Sequence, residues 1–184
     1  WMKLFGPVSI VGGLFGAWLL TVTSENFFND LVPFLILFAT VLFLLGNVLS
    51  RLAGFDALEM TTHSAKRFTA AAAQFAVAVY GGYFGAGIGI LMLASFALIG
   101  LKNIHEMNAI KTVLGGLINV VAAVYFVWAG LVQWPEAIVM MIGSTIGYYG
   151  GAALTQKISQ AQVRLLIAGI GLALSAVFFW RQFS

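Results

Sequence analysis

Six stretches of the chain carry no Asp, Glu, Lys, Arg or His: residues 4–24, 31–50, 68–101, 112–135, 137–156 and 165–180. A helix needs about 20 mostly apolar residues to cross the hydrocarbon of a bilayer, and most of these runs are long enough. Apolar and polar positions do not alternate with a period of two within them. Helices rather than a barrel must therefore satisfy the backbone in lipid. The pattern predicts an all-α fold, a polytopic transmembrane helix bundle.

The polar positions between the runs set the organisation. Glu25-Asn26-Phe27-Phe28-Asn29-Asp30 reads as a turn between two orthodox spans. Residues 53–67 form the longest polar loop. They separate residues 1–52, a pair of spans, from a larger unit over 68–184. Gly13-Leu14-Phe15-Gly16-Ala17 matches the spacing of Gly147-Tyr148-Tyr149-Gly150-Gly151, and each follows a tryptophan, Trp1 or Trp134, by about a dozen residues. Residues 1–51 thus look like a divergent copy of residues 134–181. On this reading 1–52 ends a first repeat and 68–184 is the second. The start on Trp1-Met2-Lys3 in mid-pattern predicts further sequence before it.

One run does not fit a single span. As a straight helix the 34 residues of 68–101 would reach ~51 Å, against a hydrocarbon core of roughly 30 Å. Its centre reads Tyr80-Gly81-Gly82-Tyr83-Phe84-Gly85-Ala86-Gly87-Ile88-Gly89. Each glycine costs about 1 kcal/mol against alanine in a helix, so two arms meeting at a glycine turn are expected. Charge tests the direction of the second arm. If the segment enters and returns as a hairpin, Lys3, Arg51, Lys66, Arg67, Lys102, Lys111, Lys157 and Arg164 share one side and leave Arg181 alone. A single crossing splits the basic residues almost evenly, so the positive-inside rule favours the hairpin. It also makes the repeats inverted. Each arm is then somewhat short for a full span.

Composition narrows the function. The chain is 61% hydrophobic and 8% charged, with a mean hydropathy of +1.01, far below the roughly one-quarter charge of soluble domains. It has no cysteine and only His63 and His105, expected in loops, so thiolate and histidine-rich metal centres are excluded. The net charge of +3 is spread over loops and does not form a nucleic-acid footprint. Gly143-Ser144-Thr145 resembles an intramembrane serine motif, but no later span supplies a histidine to activate the hydroxyl. No phosphate-binding G-x-x-x-x-G-K-[ST] occurs. The pattern calls for no catalytic residue and no cofactor.

Two segments carry candidate binding chemistry. Gly82, Gly85, Gly87 and Gly89 could open a backbone cradle at a broken helix, where free N–H groups and the positive end of a dipole suit an anion. The same glycines equally suit close helix packing. Asn108, Thr112, Gly115 and Asn119 follow 4-3-4 spacing and share one helical face. Asn119 is expensive in an apolar run unless it meets a partner or a cavity. Lys111 fits two roles, an interfacial anchor that snorkels to the headgroups or the counter-charge of an anionic solute. Gln74 reads as an interhelical hydrogen-bonding residue.

These residues carry a family likeness. The run from Tyr80 to Gly89 resembles the second glycine signature of the TauE/SafE sulfite exporter family. Asn108-Ala109-Ile110-Lys111 with Asn119 is similar to the segment that follows it there. Gly130-Leu131-Val132-Gln133-Trp134 resembles the element opening that family's last helix pair. The resemblance implies a bacterial or archaeal inner-membrane permease of two repeats, associated with sulfite, organosulfonates or other small organic acids. It also implies another glycine signature before Trp1. The expected partners are the bilayer and a small anionic solute, and a coupling ion and a homo-oligomer are both compatible with it. Rival readings are a passive anion channel and a non-transporting membrane scaffold.

Overall fold

The computed structural model describes residues 1–52, 63–98, 101, 103–155 and 159–183, in seven helices. They are α1 (Met2–Val22), α2 (Glu25–Leu52), α3 (His63–Tyr83), α4 (Ile88–Leu98), α5 (Ile104–Trp128), α6 (Trp134–Thr155) and α7 (Gln160–Phe183). Among the described residues three segments are long and apolar enough to cross a membrane: Met2–Val22, Glu25–Leu45 and His105–Trp128. Leu165–Trp180 is a shorter apolar helix. The all-α membrane bundle expected from the apolar runs is what the chain forms.

Several boundaries differ from the polar pattern. Glu25–Asp30 is not a turn but the start of α2. The Ser24 hydroxyl accepts from the Phe27 N–H at 3.4 Å and the Ser24 carbonyl from Phe28 at 2.9 Å, with Glu25 in the first turn. A capping serine followed by an acid complements the helix dipole, so the polar hexapeptide is helical. Most of the loop expected over 53–67, residues 53–62, lies outside the described residues, and α3 begins at His63. His63 and His105 are therefore helical rather than in loops. Asn103 caps α5, its Oδ1 accepting from the N–H groups of His105 at 3.0 Å and Glu106 at 3.4 Å.

The bundle is inside-out relative to a soluble protein. Val139, Met140, Ile146, Tyr148 and Tyr149 on α6 are exposed, as are Leu165 and Ile170 on α7, while Ser9, Thr40, Gln74 and Ser175 are buried. So much outward apolar surface belongs in hydrocarbon. Lipid tails are as apolar as leucine, so helices there associate through close packing and internal hydrogen bonds. Both devices join α1 to α3. A methyl group built on Gly12 would stand 2.7 Å from the Cβ of Ala78, and one on Gly16 would strike the Val79 carbonyl. Gln74 donates to the Ser9 hydroxyl at 2.9 Å, with both side chains fully buried. The interhelical role read for Gln74 is the one it has.

The contacts also fix direction. Ser9 meets Gln74, Gly12 meets Ala78, and Gly16 meets Tyr83, so α1 and α3 run parallel. Phe5 stacks on Phe96 at 5.5 Å. The end of α4 has thus returned to the level where α1 begins. The glycine break is a hairpin. At 21 residues α3 is ~31 Å long and at 11 residues α4 is ~16 Å, so the return arm is half a span. α5 runs parallel to α1, with Gly13 against Ile118 and Thr21 beside Tyr125 at 3.2 Å.

α2 and α7 cross in opposite directions. Phe34 meets Phe179 edge to face at 5.0 Å, and Thr40 packs against Gly171. They are counterparts in the two copies read from the sequence, and an inverted duplication requires this antiparallel arrangement.

Candidate functional site at the hairpin tip

The hairpin turns over Phe84-Gly85-Ala86-Gly87. Phe84 and Gly85 both donate to the Tyr80 carbonyl, at 2.9 and 3.3 Å, which ends α3. Gly85 and Gly87 have φ of 79° and 77°. This left-handed backbone costs a residue with a Cβ roughly 1–2 kcal/mol, so glycine is the residue the turn needs. The Tyr80 hydroxyl donates to the Ala86 carbonyl at 2.8 Å, and its ring lies edge-on to Phe38 of α2 and to Phe84.

Beyond the turn, α4 begins with its donors open. Ile88 donates to the Gly85 carbonyl at 3.4 Å, and Ile90 and Leu91 donate to the Gly87 carbonyl at 2.9 and 3.3 Å. The N–H groups of Ala86, Gly87 and Gly89 find no backbone acceptor in the turn. Successive free N–H groups around left-handed glycines, at a helix N-terminus, form a concave positive surface.

That surface lies at the level of the middle of α1, with Ala86 exposed and Gly85, Gly87 and Gly89 partly buried. Ile88 and Ile118 both close on Gly81, and Gly82 closes on the carbonyl of Gly13, the midpoint of α1. Helix α1 continues beyond the level where α3 ends. The tip therefore reaches about the middle of the span and opens no further.

Lys111 brings charge to this place. A methyl group on Gly89 would lie 3.3 Å from the Lys111 Cδ, so the lysine stem runs over the first turn of α4. Its ammonium donates to the Asn108 Oδ1 at 2.9 Å, and both side chains are partly buried. Gly89, Asn108 and Lys111 are thus brought together, while Gly85 and Gly87 form the turn just before Gly89, Gly87 lying against Ala39 of α2. Gly82 lies just below them, its backbone taken up by packing against α1. Thr112 and Asn119 point elsewhere. Met107, Ile110, Leu114 and Ile118 form the packed face of α5, and Thr112 and Asn119 are exposed on the adjoining one. Thr112 donates to the Asn108 carbonyl at 2.8 Å.

Tyr80 carries no binding signal of its own in the sequence. It stands at the head of the glycine run, where an aromatic reads as bulk, and its hydroxyl finds a partner only once the turn has formed. Among the described residues no group of three or more His, Asp or Glu side chains is placed to hold a metal ion.

The apolar exterior, the buried polar pairs and the half-span hairpin define a multi-pass helical membrane protein with a broken helix. Over residues 1–178 the chain matches the family model for the sulfite exporter TauE/SafE, and it belongs to that family, one of membrane exporters rather than enzymes. It is similar to a probable membrane transporter protein, YfcA, of Escherichia coli, with 24% identity over 174 residues, 95% of this chain and 62% of the relative. It is likewise similar to a probable membrane transporter protein of Haemophilus influenzae, with 26% identity over 173 residues, 94% of this chain and 65% of the relative. The chain spans less than two thirds of the length of these curated relatives. No solved structure matches it.

Proposed function

We propose that this chain forms part of a secondary transporter that carries a small anion, such as sulfite or an organosulfonate, across a bacterial or archaeal inner membrane by alternating access. The observation that carries this is the hairpin tip, where the N–H groups of Ala86, Gly87 and Gly89 have no acceptor in the turn and Lys111 lies against Gly89. Backbone donors and a helix dipole stabilise an anion at mid-depth, where lipid offers it nothing. Lys111 supplies the countercharge, and Asn108 holds its ammonium while the cradle is empty. Gly82 lets the hairpin sit tightly on α1, and Thr112 and Asn119 line the path along α5 away from the tip. A coupling-ion gradient or the solute's own gradient drives the cycle. By the positive-inside rule the end bearing Lys3, Arg51, Lys66, Arg67 and Arg164 faces the cytoplasm.

The test is sulfite and sulfonate flux in proteoliposomes holding the full-length protein. Lys111→Ala is expected to lower flux at least about tenfold, the loss of a charge-assisted contact. Asn119→Ala is expected to lower it less. Unchanged flux in both variants would sink these roles, and saturation with counterflow is the behaviour that distinguishes a carrier from an open pore.

A further inference from the structure

The turn between α3 and α4 contains one peptide group whose two edges do different things. The carbonyl of Ala86 and the N–H of Gly87 belong to the same planar trans unit and point in opposite directions. The Tyr80 hydroxyl holds that carbonyl at 2.8 Å, so the Gly87 N–H is turned away from the Tyr80 hydroxyl. Among the described residues neither edge of this unit makes another hydrogen bond within the turn. The unit ends on Gly87, which is left-handed, and glycine reaches the mirror conformation at little cost. A flip of the 86–87 peptide would put a carbonyl where the cradle offers a donor, and the site would repel the ion it should hold.

We infer that Tyr80 is a positioning residue that sets the polarity of the cradle: its hydroxyl locks the 86–87 peptide with the N–H facing the solute. The inference rests on the anion-cradle reading above. Tyr80 is well placed for the task. Its own carbonyl accepts both Phe84 and Gly85, so one residue grips the turn at its entry and its crest. Its ring lies 6.0 Å from that of Phe38, and Gly87 lies against Ala39, one residue further along α2, at 3.5 Å for an added methyl group. The lock is therefore braced by α2, the helix that crosses α7. A displacement of α2 during transport would reach the peptide through this ring.

The experiment compares the parent full-length protein with Tyr80→Phe, which keeps the ring and removes only the hydroxyl. Sulfite binding is read as ligand-dependent thermal stabilisation in detergent, and transport as KM and maximal flux in proteoliposomes. Tyr80→Phe is expected to keep the ligand-free Tm, weaken sulfite binding about tenfold and raise KM by the same factor, with a smaller change in maximal flux. Tyr80→Leu, which also removes the brace on α2, should depress maximal flux as well. If the parent protein binds sulfite and Tyr80→Phe binds it equally well, the inference is overturned and the cradle reading stands. If the parent protein binds neither sulfite nor isethionate, both fall.

Discussion

Gly87 combines a φ of 77° with an uncrowded surround, since a methyl group there would meet only Ala39 at an ordinary 3.5 Å. Any penalty for a side chain is thus a backbone penalty. Gly87→Ala is expected to destabilise the protein by about 1–2 kcal/mol, read as a lower Tm in detergent. Gly116→Ala, with nothing within 4 Å of the added methyl, should leave the Tm unchanged or raise it. Equal losses at both positions would mean that the turn is not held left-handed. The glycines were legible as a break, because five in nine positions cannot be helical by preference. What each glycine does was not legible. Gly82 serves packing, Gly85 and Gly87 serve the turn, and Gly89 makes room for a lysine; only the fold distributes these tasks. Lys111 parted from Thr112 and Asn119 for a similar reason. Spacing places the polar residues on one face of α5, but the apolar face of Met107, Ile110, Leu114 and Ile118 decides which edge meets the hairpin.

At the scale of the helix pair, α1 and α3 show how association is bought without a hydrophobic effect. Gly12 and Gly16 bring the backbones together, and one buried hydrogen bond from Gln74 to Ser9 sets the register. The Oε1 of Gln74 is buried with no partner, so the pair is only half satisfied. Ser9→Ala leaves the whole amide orphaned and should cost about 1–2 kcal/mol. Adding Gln74→Leu should recover most of that loss, since interhelical hydrogen bonds in membranes average only about 0.6 kcal/mol. Thermal unfolding of the two variants in detergent checks this, and a further loss in the double variant would mean that Gln74 stabilises through something other than Ser9. The span lengths were readable because apolar runs define them. Helix starts were less so. The acidic and amide residues after Ser24 look like a loop in a hydropathy pattern, yet they are the first turns of α2, since a cap and a dipole tolerate polarity that mid-helix positions do not.

For the whole molecule, the hairpin predicts topology. Arg67 in α3 and Asn103 at the head of α5 flank a segment that enters and returns, so they lie on the same side. Asn29 and Gln133 lie on the other. The chain contains no cysteine, so single-cysteine variants at these four positions need no background removed. A membrane-impermeant maleimide should label Arg67→Cys and Asn103→Cys from one face, and Asn29→Cys and Gln133→Cys from the opposite face. Labelling of 67 and 103 from opposite faces would mean a single crossing. The inverted relation of the repeats is an expectation from the charges, and the antiparallel crossing of α2 and α7 is compatible with it.

The half-length of α4 has an electrical consequence. A tip that stops near mid-depth sits about halfway through the potential across the membrane. A whole elementary charge carried across is worth about 2.3 kcal/mol per 100 mV. A singly charged solute seated at the tip therefore feels roughly half of that before any helix moves. On the proposed carrier reading, occupancy of such a seat depends on voltage, and the two directions of transport would be unequal in an energised cell even with equal solute on both sides.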